Sequence, residues 1–141
     1  MSDQQVAIED HPAMQAAKNS WRCVQAHDRE GWLSLMAEDV CMEDPIGVAP
    51  TNPTGKGVQG KASLAEFYDK NIGPSTIEIE THESHVAANE SAHVMTLTTT
   101  LPNGVKSRVR GIFTYRIDDE GKLTNLRGYW HMGVMEFEQP T

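Results

Sequence analysis

Apolar residues recur every three or four positions through most of the first part of the chain and every second position through its latter half, where the period turns from helical to strand-like. Met14, Ala17, Trp21 and Val24 put an apolar stripe on a first helix. Asp10 is placed to cap it, and Pro12 falls in its first turn, where a missing N–H costs little. His27-Asp28 interrupts this helix, and a second begins near Arg29 and carries Trp32, Leu33, Leu35 and Met36. Val40 to Asp44 reads as a strand with Val40, Met42 and Asp44 on one face and Cys41 and Glu43 on the other. The Pro- and Gly-rich run V-A-P-T-N-P-T-G-K-G-V-Q-G, Val48 to Gly60, is long for a loop in a compact domain, and such loops are functional or disordered. Ser63 and Glu66 have capping-box spacing, and Leu64, Phe67 and Tyr68 give a third helix its apolar face.

Strict alternation follows in I-E-I-E-T-H, and the run from Ser91 to Leu101 ends in P-N-G, a hairpin turn. From Val105 to Ile117, Val109, Phe113, Tyr115 and Ile117 share one face, while Lys106, Arg108, Arg110 and Arg116 share the other. D-D-E-G is a further turn. A last strand runs from Lys122 to Val134, with Leu126, Gly128, Trp130 and Met132 on one face. Helices followed by an antiparallel meander predict an α+β domain, a curved sheet closed by helices with a cavity between. Residues 1–9 read as a lead-in, 10–137 as the domain and 138–141 as a tail.

With 141 residues the chain suffices for one domain with a real core. A net charge of -8 and scattered basic residues argue against nucleic acid as a partner. No segment reads as a membrane span or an export signal, so the cytoplasm is the expected location. Cys23 and Cys41 fall in apolar surroundings and read as buried free thiols. His82 and His85 fall on opposite strand faces, His93 and His131 stand alone, and His131 points away from Trp130. No metal-ligand spacing, phosphate loop or nucleophile elbow is present, so neither metal nor cofactor is expected.

Asp44 carries the chemistry expected of this chain. Alternation turns it toward the core, where aspartate is rare, and an apolar setting would raise its pKa toward that of a useful base. Glu43 should face solvent. A base acting on a carbon acid needs donors for the enolate oxygen, and Tyr115, Tyr68, Trp130 and Ser20 are the polar-tipped residues available.

The segments A-E-D-V-C-M-E-D-P-I-G and F-T-Y-R-I-D-D-E-G-K-L, the helix A-S-L-A-E-F-Y and the final R-G-Y-W strand resemble the delta-5-3-ketosteroid isomerases. More broadly, the chain is similar to the cone-shaped nuclear-transport-factor-2-like fold, which includes SnoaL-type cyclases. The resemblance covers roughly 16–134. It implies that Asp44 moves a proton from C4 to C6 of a 3-ketosteroid through a dienolate. It puts Ser20 and Phe113 where the family has its tyrosine and aspartic acid donors, so both are replaced, with Tyr115 or Trp130 left to compensate. Tyr68 and Trp130 match family positions, and Met36 stands in place of a tyrosine. Together with Ser20 and Phe113, Met36 and Tyr68 are the expected ligand-binding residues, for a small hydrophobic molecule such as a steroid. The loop at 48–60 is longer than the family's. A homodimer is implied. The alternatives are a ligand carrier, an epoxide hydrolase or polyketide cyclase, and a structural dimer module.

Overall fold

A computed structural model describes residues 7–140, so residues 1–6 of the expected lead-in and Thr141 of the tail lie outside the described residues. Helices α1 (Pro12–Ala26), α2 (Arg29–Ser34) and α3 (Lys61–Phe67) pack on a curved sheet. Its strands are β1 (Met36–Glu43), β2 (Val58–Gln59), β3 (Thr76–Ala87), β4 (Glu90–Thr100), β5 (Lys106–Ile117), β6 (Leu123–Tyr129) and β7 (Glu136–Glu138). The order is β2-β1-β6-β5-β4-β3, with β7 also pairing with β5. This is the α+β architecture that the change of period predicted. One pairing departs from the expected meander: β1 runs parallel to β6, with Met42 opposite Leu126 and Glu43 opposite Arg127.

The buried face of α1 includes the four expected residues together with Ala13, Ala16, Ser20 and Cys23. It packs against β3, β4 and β5, whose inward rows include Ile77 and Ile79, Met95 and Leu97, and Val109, Phe113 and Tyr115.

Local capping differs from expectation at two helices. Asp10 closes a short 3-10 turn, Ile8–Asp10, and His11 caps α1 through Nδ1, which accepts the Ala13 N–H at 3.1 Å. Ser63 lies inside α3 and caps nothing, since Gly60 at φ +89°, three residues earlier, bends the chain into that helix. The Gly60 N–H donates to the Val40 carbonyl at 2.7 Å and ties this bend to β1.

Leu35 and Met36 leave the second helix despite their helical spacing. The Leu123 N–H donates to the Leu35 carbonyl at 2.8 Å, and Met36 pairs with Leu123, so the sheet takes both residues. The last long strand stops at Tyr129 rather than Val134. A 3-10 turn, Met132–Val134, and the three-residue β7 replace its expected end.

The loop at 48–60 is built around Asn52, which is 2 % exposed. Its Nδ2 donates to the Pro45 carbonyl at 2.9 Å, and its Oδ1 accepts the Gly57 N–H at 2.9 Å. A buried amide with partners on both ends fixes the loop as a wall. Glu43 is not free in solvent as expected: Arg127 Nε donates to its Oε1 at 3.0 Å. Cys23 is buried, whereas Cys41 is half-buried, and both are free thiols.

Candidate functional site

Between the helices and the concave side of the sheet lies a cavity of about 420 Å³. Its wall is mostly apolar, with Trp21, Trp32, Phe67, Met95, Leu97 and Val109 among the larger contributors. Asp44, immediately after β1, is a carboxylate in this wall, on the same face as Met42. It is half-buried and keeps its open side toward the cavity. Trp130 Nε1 donates to its Oδ1 at 2.7 Å. Burial pushes the Asp44 pKa above the ordinary carboxylate value, and the Trp130 hydrogen bond pulls it partly back. Thr51 from the long loop donates its hydroxyl to the Asp44 backbone carbonyl at 2.7 Å, so the loop holds Asp44 from behind.

Gly128 makes this pair possible. It sits on β6 opposite Phe113, and the side of its backbone that would carry a β-carbon faces Asp44 Oδ1 and Trp130 Nε1. The carboxylate and the indole fill that space.

Tyr115 is buried at the inner part of the wall, and its Oη accepts the Trp21 indole N–H at 2.8 Å. Burial raises its pKa above the ordinary phenol value, and the nearby Asp44 charge adds to the rise. The phenol therefore stays protonated and can donate. Ser20 also lines the cavity, and its Oγ accepts the Trp32 indole N–H at 3.0 Å. Phe113 lines the wall beside Gly128.

Three expected roles change. Trp130 cannot serve as a free donor to a ligand oxygen while its N–H is given to Asp44; it orients that carboxylate instead. Met36 is 2 % exposed at the far end of β1, outside the cavity wall. Tyr68 is also outside it, packed against Trp32 at a ring separation of 5.7 Å. Both face the core, but pairing of Met36 with the start of β6 and the turn of backbone at Tyr68–Ile72 direct them elsewhere.

Sequence reasoning missed the roles of Trp21, Trp32, Gly128, Asn52 and His93. A buried indole N–H requires an acceptor, which was the available signal for the two tryptophans. His93 is 1 % exposed, with Nδ1 at 2.8 Å from Ser84 Oγ and Nε2 at 2.7 Å from Ser91 Oγ. Its ring meets Trp21 edge-on at 4.8 Å, and burial lowers its pKa to about 4, so it stays neutral. His82 and His85 are exposed, bonded to Thr96 and Glu83, and the His131 ring accepts the Gly133 N–H. Among the described residues no group of three His, Cys, Asp or Glu side chains comes together to hold a metal, and no helix is long and apolar enough to cross a membrane.

Residues 17–126 match the SnoaL-like domain. A Delta 5-3-ketosteroid isomerase from Mycobacterium sp. is 55 % identical, with a TM-score of 0.88 over 90 % of this chain and 98 % of that one. RV0760c from Mycobacterium tuberculosis, in complex with estradiol-17beta-hemisuccinate, is 47 % identical, with a TM-score of 0.87 over 89 % of this chain and 98 % of that one. A computationally designed 17-OHP binder is 44 % identical, with a TM-score of 0.88 over 90 % of this chain and 98 % of that one. A match across most of the domain, joined to an isomerase that shares over half of its residues, makes this chain a member of the ketosteroid isomerase family within the SnoaL-like, nuclear-transport-factor-2-like superfamily.

Proposed function

We propose that the protein is a steroid delta-isomerase-like enzyme that shifts a carbon–carbon double bond in a 3-ketosteroid or a similar hydrophobic ketone, with Asp44 as the proton carrier. The observation that carries this reading is the placement of Asp44: a carboxylate of raised pKa in an apolar cavity, oriented by one indole N–H. A base with its pKa moved toward neutrality accepts a carbon-bound proton and can return it. Asp44 takes a proton from C4 as the electrons of the C–H bond form a dienolate. It then delivers the proton to C6, and the double bond ends in conjugation with the ketone. Oxygen charge develops in between, and the Tyr115 hydroxyl is the donor suited to it. Likeness to a ketosteroid isomerase and to a protein bound to a steroid ester supports the ligand class.

The carrier reading is favoured by one observation, the replacement of both family donors by Ser20 and Phe113. A pure binder would not accelerate proton exchange at the carbon next to the ketone. The epoxide hydrolase reading has less support: Asp44 is the one carboxylate in the cavity wall among the described residues, and Arg127 is already paired with Glu43. A homodimer belongs to the same proposal, with the exposed Ile112 and Tyr129, paired across β5 and β6, at the contact. Sedimentation at several concentrations tests it.

The decisive assay mixes purified protein with a delta-5-3-ketosteroid and follows the ultraviolet absorption of the conjugated product. Conversion that disappears in Asp44→Asn supports the isomerase. Conversion unaffected by that change removes Asp44 from the role.

A further inference from the structure

Two hydroxyls in the cavity wall share one arrangement. The Tyr115 oxygen accepts the Trp21 N–H at 2.8 Å, and the Ser20 oxygen accepts the Trp32 N–H at 3.0 Å. All four residues line the cavity, and none is more than 9 % exposed. Ser20 and Trp21 are consecutive on α1, so the two pairs are neighbours through that helix.

An indole N–H donates and never accepts, whereas a hydroxyl does both. Each indole occupies a lone pair of its hydroxyl and leaves the hydroxyl's own proton in need of an acceptor. Among the described residues neither hydroxyl donates to a protein acceptor. Buried donors without acceptors are uncommon, and the space open to these two is the cavity. An acceptor entering there can take either proton without disturbing the indole bond behind it. The third indole of the wall, Trp130, is committed to Asp44.

The backing of Trp21 is rigid. His93 abuts its ring and is itself held by Ser84 and Ser91. Tyr115 meets the same His93 ring at 5.5 Å. Rotating the indole to release Tyr115 would disrupt this packed set.

We propose that Trp21 and Trp32 are positioning residues that turn the hydroxyls of Tyr115 and Ser20 into a paired donor site for an anionic oxygen on a flat apolar ligand, an enolate or a phenolate. The enolate rests on the isomerase reading above; the phenolate does not. The site replaces the usual family donors with two hydroxyls aimed by two indoles.

The test uses 2-naphthol, a flat phenol whose ionised form is read by absorbance and fluorescence, and naphthalene as its counterpart without oxygen. Wild-type full-length protein is compared with Tyr115→Phe, Trp21→Phe, Ser20→Ala, Trp32→Phe and the two paired double variants. Loss of a hydrogen bond to a charged oxygen predicts about tenfold weaker naphtholate binding in Tyr115→Phe and a smaller loss in Trp21→Phe. The double variant should be no weaker than Tyr115→Phe alone, because the indole acts through the hydroxyl. Ser20 and Trp32 should behave in the same way, and naphthalene binding should hold throughout. Additive losses, equal losses for naphthol and naphthalene, or unchanged binding in Tyr115→Phe would overturn the proposal. If an indole variant does not fold, Tyr115→Phe with Ser20→Ala carries the test: naphtholate binding retained in that pair overturns it. These outcomes are separable from the isomerase reading, which stands or falls on steroid conversion and on Asp44→Asn.

Discussion

A β-carbon on Gly128 would stand 2.5 Å from Oδ1 of Asp44 and 2.9 Å from Nε1 of Trp130. The carboxylate and its hydrogen-bond donor thus occupy the space that any other residue's side chain would fill. Gly128→Ala is expected to push them apart while leaving the sheet in place. Displacement of a reacting group by about 1 Å can cost about 100-fold in rate, and overpacking costs about 1–3 kcal/mol. Steady-state turnover of a delta-5-3-ketosteroid and a denaturant melt check both; unchanged turnover would show that the site tolerates the methyl group.

Asp44→Asn should abolish turnover and at the same time stabilise the fold. Burial raises the folded-state pKa of Asp44 above its unfolded value. The folded state therefore holds a proton that the unfolded state releases. Stability from this group is fully present below the unfolded value of about 4 and is lost as pH rises through the folded one. The variant carries no charge to bury. Its thermal midpoint should exceed the wild type's at neutral pH, with the gap closing toward about pH 4. Equal midpoints at neutral pH would mean that the Asp44 charge is fully compensated.

Removing the Trp130 N–H acts on the same carboxyl in the opposite sense. That hydrogen bond favours the charged form and lowers the Asp44 pKa. In Trp130→Phe the acid limb of the kcat/KM profile should move to higher pH, with turnover reduced at neutral pH and partly recovered in alkali. The profile has room on that side, because Tyr115 stays protonated above the ordinary phenol range. An acid limb that does not move would deny Trp130 its hold on the base.

His93 should limit tolerance to acid. Its folded-state pKa of about 4 lies below the ordinary 6.5. Stability from this depressed value is present above the unfolded pKa and is lost as pH falls from about 6.5 through about 4, amounting to about 3 kcal/mol. His93→Gln should be less stable at neutral pH but lose less on acidification. Asp44 runs the other way over the same interval, so the comparison is cleanest in the Asp44→Asn background. Chemical denaturation at several pH values measures it.

The change from helical to strand period made the architecture legible, and alternation with Met42 made the inward turn of Asp44 legible. Both are local properties of the chain. What was not legible depends on residues far apart in sequence. The parallel pairing of β1 with β6 takes Met36 out of its expected helix and places it away from the cavity. Tyr68 had the right spacing for the core, but only the position of Trp32 shows that it stands outside the wall. Trp130 read as a donor to a ligand because its acceptor, Asp44, lies 86 residues away. His93 looked isolated, since its partners Ser84 and Ser91 become neighbours only when β3 and β4 pair.

The parallel placement of β1 also sets when the site can come into being. Beyond the two residues of β2, this strand has among the described residues no sheet neighbour other than β6, the last long strand. Asp44 leaves the ribosome well before the segment that confines it. Pairings so distant in sequence form late, because the intervening loop must be closed first. A nascent chain ending before Leu123 would hold α1 and the β3–β5 meander but leave Asp44 unconfined, so on the isomerase reading activity would come only with the final strand and would report completed folding rather than compactness.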